Sequence, residues 1–296
     1  MKKGIFNALL TAIVFVTLEP VSKLIAGDVS PYAITFWRFA IGSLILIPFA
    51  VVKIKKEKLH VTKKDMGVMT LLGILFICIS MVALQIAVKI ADSPSLIAII
   101  FSSNSVFTML FAVLIVKEKM TWQKWCTLVL CTIGVLICVD FKSGTNLASV
   151  ALAIFAAVSF SLYTVLSQKF MTELGSAVQT SIVFVMGSIV LIIALIIGGA
   201  DVMPQFDGRS VSILCYLGFI VTGIGYWSYF NAIEKSGAIM GSLAFFIKPI
   251  LTPFATFAIN GIIPDIKVFV AVFFIVCGSY IAVYKKNSKK SEIKSE

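Results

Sequence analysis

Apolar residues run without alternation along most of the chain, in ten stretches, and polar residues crowd into short intervals between them. A helix rising ~1.5 Å per residue crosses a bilayer core in ~20 residues. The pattern therefore predicts helices near residues 4–26, 31–52, 66–88, 94–116, 122–140, 148–168, 177–199, 210–232, 237–259 and 266–284. Strands of a membrane barrel would alternate apolar and polar positions over ~10 residues, whereas Ile189 to Ile197 is apolar on every face. A helix also satisfies its own backbone in lipid. The expected fold class is an all-α polytopic membrane protein of ten transmembrane helices. The longest connections, residues 52–65 and 199–210, leave no room for a soluble domain.

Composition agrees: 59% of the residues are hydrophobic and 13% charged, against roughly 25% charged in soluble proteins. Lys and Arg residues fall unevenly, and cationic loops stay in the cytoplasm. With the N-terminus inside, the inner segments hold 18 cations, at positions 2, 3, 53, 55, 56, 58, 63, 64, 117, 119, 124, 169, 235, 285, 286, 289, 290 and 294. The outer loops hold 4, namely Lys89, Lys142, Arg209 and Lys267. Both termini are thus expected in the cytoplasm of a multi-pass cell-membrane protein. The net charge of +11 would suggest nucleic acid in a soluble chain. Here topology and attraction to anionic lipid headgroups account for it, and no nucleic-acid partner is expected.

The opening MKK and its apolar stretch imitate a signal peptide, but Glu19 and Lys23 interrupt the segment and no small-residue cleavage site follows. It is read as the first helix. The six cysteines fall within predicted spans without metal-ligand spacing and read as packing residues. The single histidine, His60, sits in a basic loop, and there is no nucleophile triad, phosphate-binding glycine loop or metal cluster. Neither an enzyme nor a cofactor is expected.

Shifting the sequence by 145 positions lays Thr35 to Leu46 over Thr180 to Leu191, matching Gly42 with Gly187 and Ser43 with Ser188. The same shift matches Gly73 with Gly218 and Phe101 with Phe246, and a shift of 144 pairs Gly134 with Gly278. Five spans is an odd number, so the second half enters the membrane from the opposite side. This is the inverted repeat that many secondary transporters use to alternate access to a midplane site. The halves are taken as residues 1–141 and 142–286, followed by a basic tail, 287–296.

Charges inside the spans are costly, about 2.5–3.5 kcal/mol on insertion scales, and usually face a cavity or a partner. Glu19 and Lys23 lie one turn apart on the first helix, where Pro20 removes a backbone hydrogen bond. The two could simply neutralise each other. Arg38 lies about 10 Å inside the second helix, at a depth comparable to Glu19. Its permanent charge suits a structural clamp on a carboxylate or a helix end, with substrate contact as the other reading. Lys248 belongs near the bilayer centre, beside Pro249 and before Pro253, and can bind an anion or lose its proton. Its repeat partner is Ser103, next to Asn104; these two either line a cavity or pack helices. Tyr163 and Tyr226 are further cavity candidates because a buried phenol needs a partner. Trp227 and Tyr229 suit an interfacial belt, and Trp122 and Trp125 suit anchors.

Lys23 closing the first helix, ITFWRFAIGSLILIP with Arg38, SFSLYTVLSQKF, IKPIL and LIVKEKMTWQKWCTLVLCTIGVLI occur in an order and spacing that resemble the EamA type of the drug/metabolite transporter superfamily, over residues 4–284. The resemblance implies ten helices in two inverted five-helix repeats, with helices one to four and six to nine around a cavity. It also implies carriage, mostly export, of small metabolites such as amino acids or amphipathic compounds without nucleotide hydrolysis. The chain departs from the family pattern at Val116-Lys117-Glu118 and Asn260-Gly261-Ile262, where Gly-Glu is usual, and at Lys248-Pro249, where Glu-Pro is frequent.

The expectation is a secondary transporter whose partners are membrane lipids, a small-molecule substrate and, through Glu19, protons as coupling ion. Lys248 would hold a substrate carboxylate and Glu19 an amine or a proton. A gated pore or lipid-handling protein is the alternative of another class, and a membrane scaffold a third. The pattern carries no signal for oligomeric assembly.

Overall fold

The computed structural model describes residues 2–115, 117, 120–138, 146–170, 174–200, 202, 207–236 and 238–292, without the side chains of 2–5, 105, 124, 138, 176, 230, 233–246, 279 and 282–292. The expected boundary between the halves at 141 and 142, Val116 and Glu118 after the fourth span, and the last tail residues lie outside the described residues. All described secondary structure is helical: α1 (Lys2–Val16), α2 (Leu18–Lys23), α3 (Pro31–Glu57), α4 (Lys63–Gly73), α5 (Val82–Ile90), α6 (Pro94–Ser102), α7 (Asn104–Ile115) and α8 (Trp122–Cys138) in the first part. Then come α9 (Leu147–Lys169), α10 (Gly175–Ile197), α11 (Gly208–Cys215), α12 (Gly225–Ser236), α13 (Ala238–Asn260) and α14 (Ile266–Glu292). Two π-helical stretches, Ile74–Met81 and Tyr216–Ile224, join α4 to α5 and α11 to α12.

Local chemistry sets several helix starts. Ser30 accepts a hydrogen bond from the Ala33 N–H and Pro31 opens α3, while Thr62 and Asp65 form a reciprocal capping box on α4. Asn146 and Asp207 cap α9 and α11 in the same way. Each supplies an acceptor to amides that have no partner within the helix.

Among the described residues, seven helices are long and apolar enough to cross a membrane, by length and composition. They run over Phe6–Lys23, Pro31–Glu57, Lys63–Ile90, Pro94–Ile115, Leu147–Lys169, Ala177–Ile197 and Gly208–Tyr229, with shorter apolar helices at Trp125–Ile137 and Ile266–Gly278. The surface is apolar where a soluble protein would be polar: Ile197 is 81% exposed and Leu71 68%, while Arg38 and Lys248 are buried at 2% and 3%. Apolar side chains facing outward and ions facing inward are what a hydrocarbon solvent selects. The chain is a multi-pass membrane protein.

The glycines that the sequence shift aligns are contact points between the halves. A Cβ on Gly73 would come within 2.9 Å of the Gly187 nitrogen, and one on Gly42 within 3.2 Å of the Gly218 carbonyl oxygen. The shift maps Gly42 to Gly187 and Gly218 to Gly73, so these are two copies of one contact. Phe39 and Phe184, repeat equivalents, meet each other edge to face at 4.9 Å. At the far end α8 packs on α14, with Gly134 against Ala271 and Ile275, and Gly278 against Cys131. Here the Cys131 thiol donates to the Ile275 carbonyl, 144 positions away. Ser80 donates to the Ala156 carbonyl at 2.8 Å and Thr11 to the Gly225 carbonyl at 3.4 Å; the shift of 145 pairs Ser80 with Gly225 and Thr11 with Ala156, so the two bonds join equivalent positions with donor and acceptor reversed. The halves therefore pack through a local pseudo-twofold relation.

The π stretches fall at corresponding places in the third span of each half. A π turn widens the ladder by one residue, and Thr222 uses the slack to donate to the Leu217 carbonyl five positions back at 2.8 Å.

Two glycines on α4 separate packing from helix propensity. Gly73→Ala must push backbone at 2.9 Å apart, whereas a Cβ on Gly67 meets nothing within 4 Å. Thermal unfolding in detergent should show Gly73→Ala destabilised by about 1–3 kcal/mol and Gly67→Ala unchanged or slightly stabilised.

Candidate functional site

Glu19 owes its position to Pro20. Proline has no N–H to give and its ring crowds the carbonyl four residues back, at Val16. Helix α1 stops at that residue and α2 resumes at Leu18. Thr17 in the gap donates to the Val14 carbonyl at 2.8 Å and shares a hydrogen bond with the Tyr216 hydroxyl. Glu19 follows the break and is fully buried.

Lys248 of α13 donates to Glu19 Oε1 at 2.6 Å, with the carboxylate side chain 0% exposed. Its ammonium also lies 5.6 Å from the Phe101 ring centre. Pro249 and Pro253 sit inside one continuous helix, and Thr252 donates to the Lys248 carbonyl at 2.7 Å. Glu19 Oε2 has no hydrogen-bond partner. The carboxylate's partner is thus Lys248, from the other half of the chain, and not the neighbouring Lys23.

Arg38 stands beside this pair. Its guanidinium lies 4.6 Å from the Phe39 ring centre and donates from Nη2 to the Met81 sulfur at 3.4 Å. Its Nε and Nη1 have no partner. Among the described residues Glu19, Arg38 and Lys248 are the buried charged groups, so their formal charges of −1, +1 and +1 leave the centre at +1.

Around them is a cavity lined by Phe15, Leu18, Arg38, Met81, Leu84, Phe101, Phe160, Val221, Thr222, Tyr226 and Lys248, with a volume of about 20 Å³. That holds a water molecule or little more. The walls come from both halves, but none of these residues belongs to α8 or α14, as the resemblance implies, nor to α10, which it would have included. Aromatic packing closes the site: Tyr226 touches Phe15 at 5.0 Å and Phe184 at 5.1 Å, and Tyr163 stacks on Phe76 at 4.5 Å.

The structure gathers Glu19, Arg38, Tyr226 and Lys248 at this centre and puts the other candidates elsewhere. Lys23 donates to the carbonyls of Val88 at 3.2 Å, Lys89 at 2.9 Å and Ala91. Helix α5 ends there, and its last carbonyls lack partners within the helix and attract a cation. Next to it, Asn260 Nδ2 donates to the Pro20 carbonyl at 3.1 Å. Ser103 lies between α6 and α7 and Asn104 opens α7: the Ser103 hydroxyl donates to the Ile100 carbonyl at 2.6 Å, and the Asn104 carbonyl accepts from Ser161. The Asn104 Nδ2 has no partner. Tyr163 lies behind Phe76, outside the lining. Phe15, Phe101 and Phe160 are lining residues that the charge pattern did not single out; the shift of 145 that matches the glycines also matches Phe15 with Phe160.

The charged centre lies between helices of both repeats, and the comparisons with known proteins place the chain among transporters. The model of the EamA-like transporter family matches twice, over residues 2–139 and 147–284. The chain belongs to that family. An uncharacterized transporter of Clostridium kluyveri is 35% identical, over 99% of this chain and 97% of its own length. An S-adenosylmethionine uptake transporter of Rickettsia prowazekii is 23% identical, over 81% of this chain and 88% of its own. A crystal structure superposes with a TM-score of 0.68 at 16% identity, covering 96% of this chain and 97% of the other. That likeness shows the shared fold of this EamA-like transporter.

Removing one partner of a buried ion pair strands the other, at a cost of about 3–5 kcal/mol. Lys248→Met and Glu19→Gln should each lower the unfolding midpoint of the detergent-solubilised transporter. The double variant should recover much of the loss, giving a coupling energy in a double-mutant cycle; additive losses would contradict a direct pair.

Proposed function

We propose that this transporter is a secondary carrier that exports a small metabolite, an amino acid or a related amphipathic compound, by alternating access. Its ten transmembrane helices form two inverted five-helix repeats, residues 1–141 and 142–286, in the cell membrane with both termini cytoplasmic. The observation that carries this reading is the Glu19–Lys248 contact at 2.6 Å across the halves, inside a cavity too small for a metabolite. A substrate that enters as the halves part replaces the Glu19–Lys248 contact with contacts of its own. Lys248 then holds a substrate carboxylate and Glu19 an amine.

Glu19 is also our candidate for coupling. An ammonium and a proton compete for one carboxylate, which is the requirement for exchanging substrate outward against protons inward. Among the described residues Glu19 is the buried carboxylate, so the exchange has one place to occur. A second reading, uptake, is favoured by rickettsial relatives named as S-adenosylmethionine uptake transporters.

Counterflow in proteoliposomes tests the carrier: a preloaded amino acid should accelerate entry of its labelled form, saturably, and Lys248→Ala should abolish the effect. Flux that rises linearly with concentration and ignores the preloaded side would indicate a pore. An imposed pH gradient should drive accumulation in the wild type but not in Glu19→Gln, and its sign distinguishes export from uptake.

A further inference from the structure

We infer that Arg38 is a substrate-binding group, and that it confines the substrate to compounds carrying a single carboxylate on an apolar body. The inference rests on the carrier reading above and adds Arg38, beside Lys248, as a second cation on the same substrate carboxylate and the one that decides substrate class.

Three observations lead there. Arg38 is 2% exposed, yet its Nε and Nη1 have no partner. Its Nη2 has the Met81 thioether, a weak acceptor. A guanidinium does not shed its charge when buried, and it is the side chain best shaped to take a carboxylate through paired N–H donors. Arg38 also lines the cavity, so the unsatisfied group meets the space where a ligand would sit.

The second observation is charge. Glu19 is already engaged by Lys248 at 2.6 Å, which leaves the Arg38 charge unmatched by a contacting anion among the described residues. One carboxylate on Arg38 matches that charge locally. It brings one negative charge, whereas a phosphate monoester brings about 1.5–2 at neutral pH and would overshoot.

The third is the rest of the wall. Phe15, Leu18, Leu84, Phe101, Phe160 and Val221 are apolar, so the remainder of the ligand should be hydrocarbon or aromatic. If Arg38 were only a clamp, its donors would be expected on an oxygen of Glu19 or of a helix end, as Lys23 is on the carbonyls closing α5. Instead Glu19 Oε2 has no hydrogen-bond partner either, so the guanidinium does not clamp that carboxylate.

The test is binding, which does not depend on transport. Purified full-length protein in detergent is titrated, by thermal shift and calorimetry, with leucine and phenylalanine, their primary amides, the matched amines isoamylamine and phenethylamine, and the matched carboxylates 4-methylpentanoate and 3-phenylpropionate. The wild type should bind members that carry a carboxylate at least about 10- to 100-fold more tightly than the amides or amines, the range for one charged hydrogen-bonding contact. Arg38→Met should lose that preference, and Arg38→Lys should keep the preference for an anion with weakened affinity. Equal binding of amide and acid by the wild type, no binding of any carboxylate, or a preference that survives in a folded Arg38→Met protein would each overturn the inference. If Lys248→Met alone erases the preference, the carboxylate belongs to Lys248 and Arg38 is structural. Counterflow by Arg38→Met of any compound it still binds would leave the carrier reading intact.

Discussion

The ion pair between Glu19 and Lys248 ties α2, in the first half, to α13, in the second. Burying two ions costs several kcal/mol each, and their attraction in a low dielectric returns an amount of the same order. A pair near balance adds little net stability. It is, however, strongly biased against losing only one member. That asymmetry is what the proposed carrier would use: both charges together would hold the halves closed, and a ligand replacing each would let them open.

The frame around the pair is stiff where the repeats touch. Gly42 against Gly218 and Gly73 against Gly187 are close backbone approaches that no side chain could enter without displacement. Small-residue contacts are how helices associate in lipid, where burying apolar area gains nothing. The Phe39–Phe184 and Cys131–Ile275 contacts join repeat-equivalent positions to each other. Between these contacts the cavity walls are aromatic rings and flexible thioether or aliphatic chains, which can rearrange without breaking the frame. The π stretches lie in the third span of each half, where a widened turn loosens the helix that contributes Met81 on one side and Val221 and Thr222 on the other.

Much of this could be read along the chain. A charge in an apolar run is conspicuous, so Glu19, Arg38 and Lys248 stood out, and a constant offset revealed the glycines that join the halves. Partner choice could not be read. Lys23, one turn from Glu19, is the obvious local mate, but the exposed carbonyls at the end of α5 hold it instead. Ser103 and Asn104 read equally as cavity lining or helix packing along the chain; Ser103 lies between α6 and α7 and Asn104 opens α7. The lining phenylalanines were hidden among 24 such residues, most in apolar helices where a ring attracts no notice. The π stretches read as ordinary apolar helix, since nothing in Ile74 to Met81 marks a widened turn.

The sequence by itself determined that this chain is helical, lives in a membrane, repeats itself and carries a few charges where charges are expensive, because length, hydropathy and periodicity are local properties that lipid acts on directly. Only the tertiary structure decided which of those charges meet, which serves as a helix cap and which is left facing a cavity. Those outcomes depend on contacts between residues as far apart as Glu19 and Lys248, 229 positions along the chain, and are settled by how ten apolar stretches pack against one another, not by what any one of them contains.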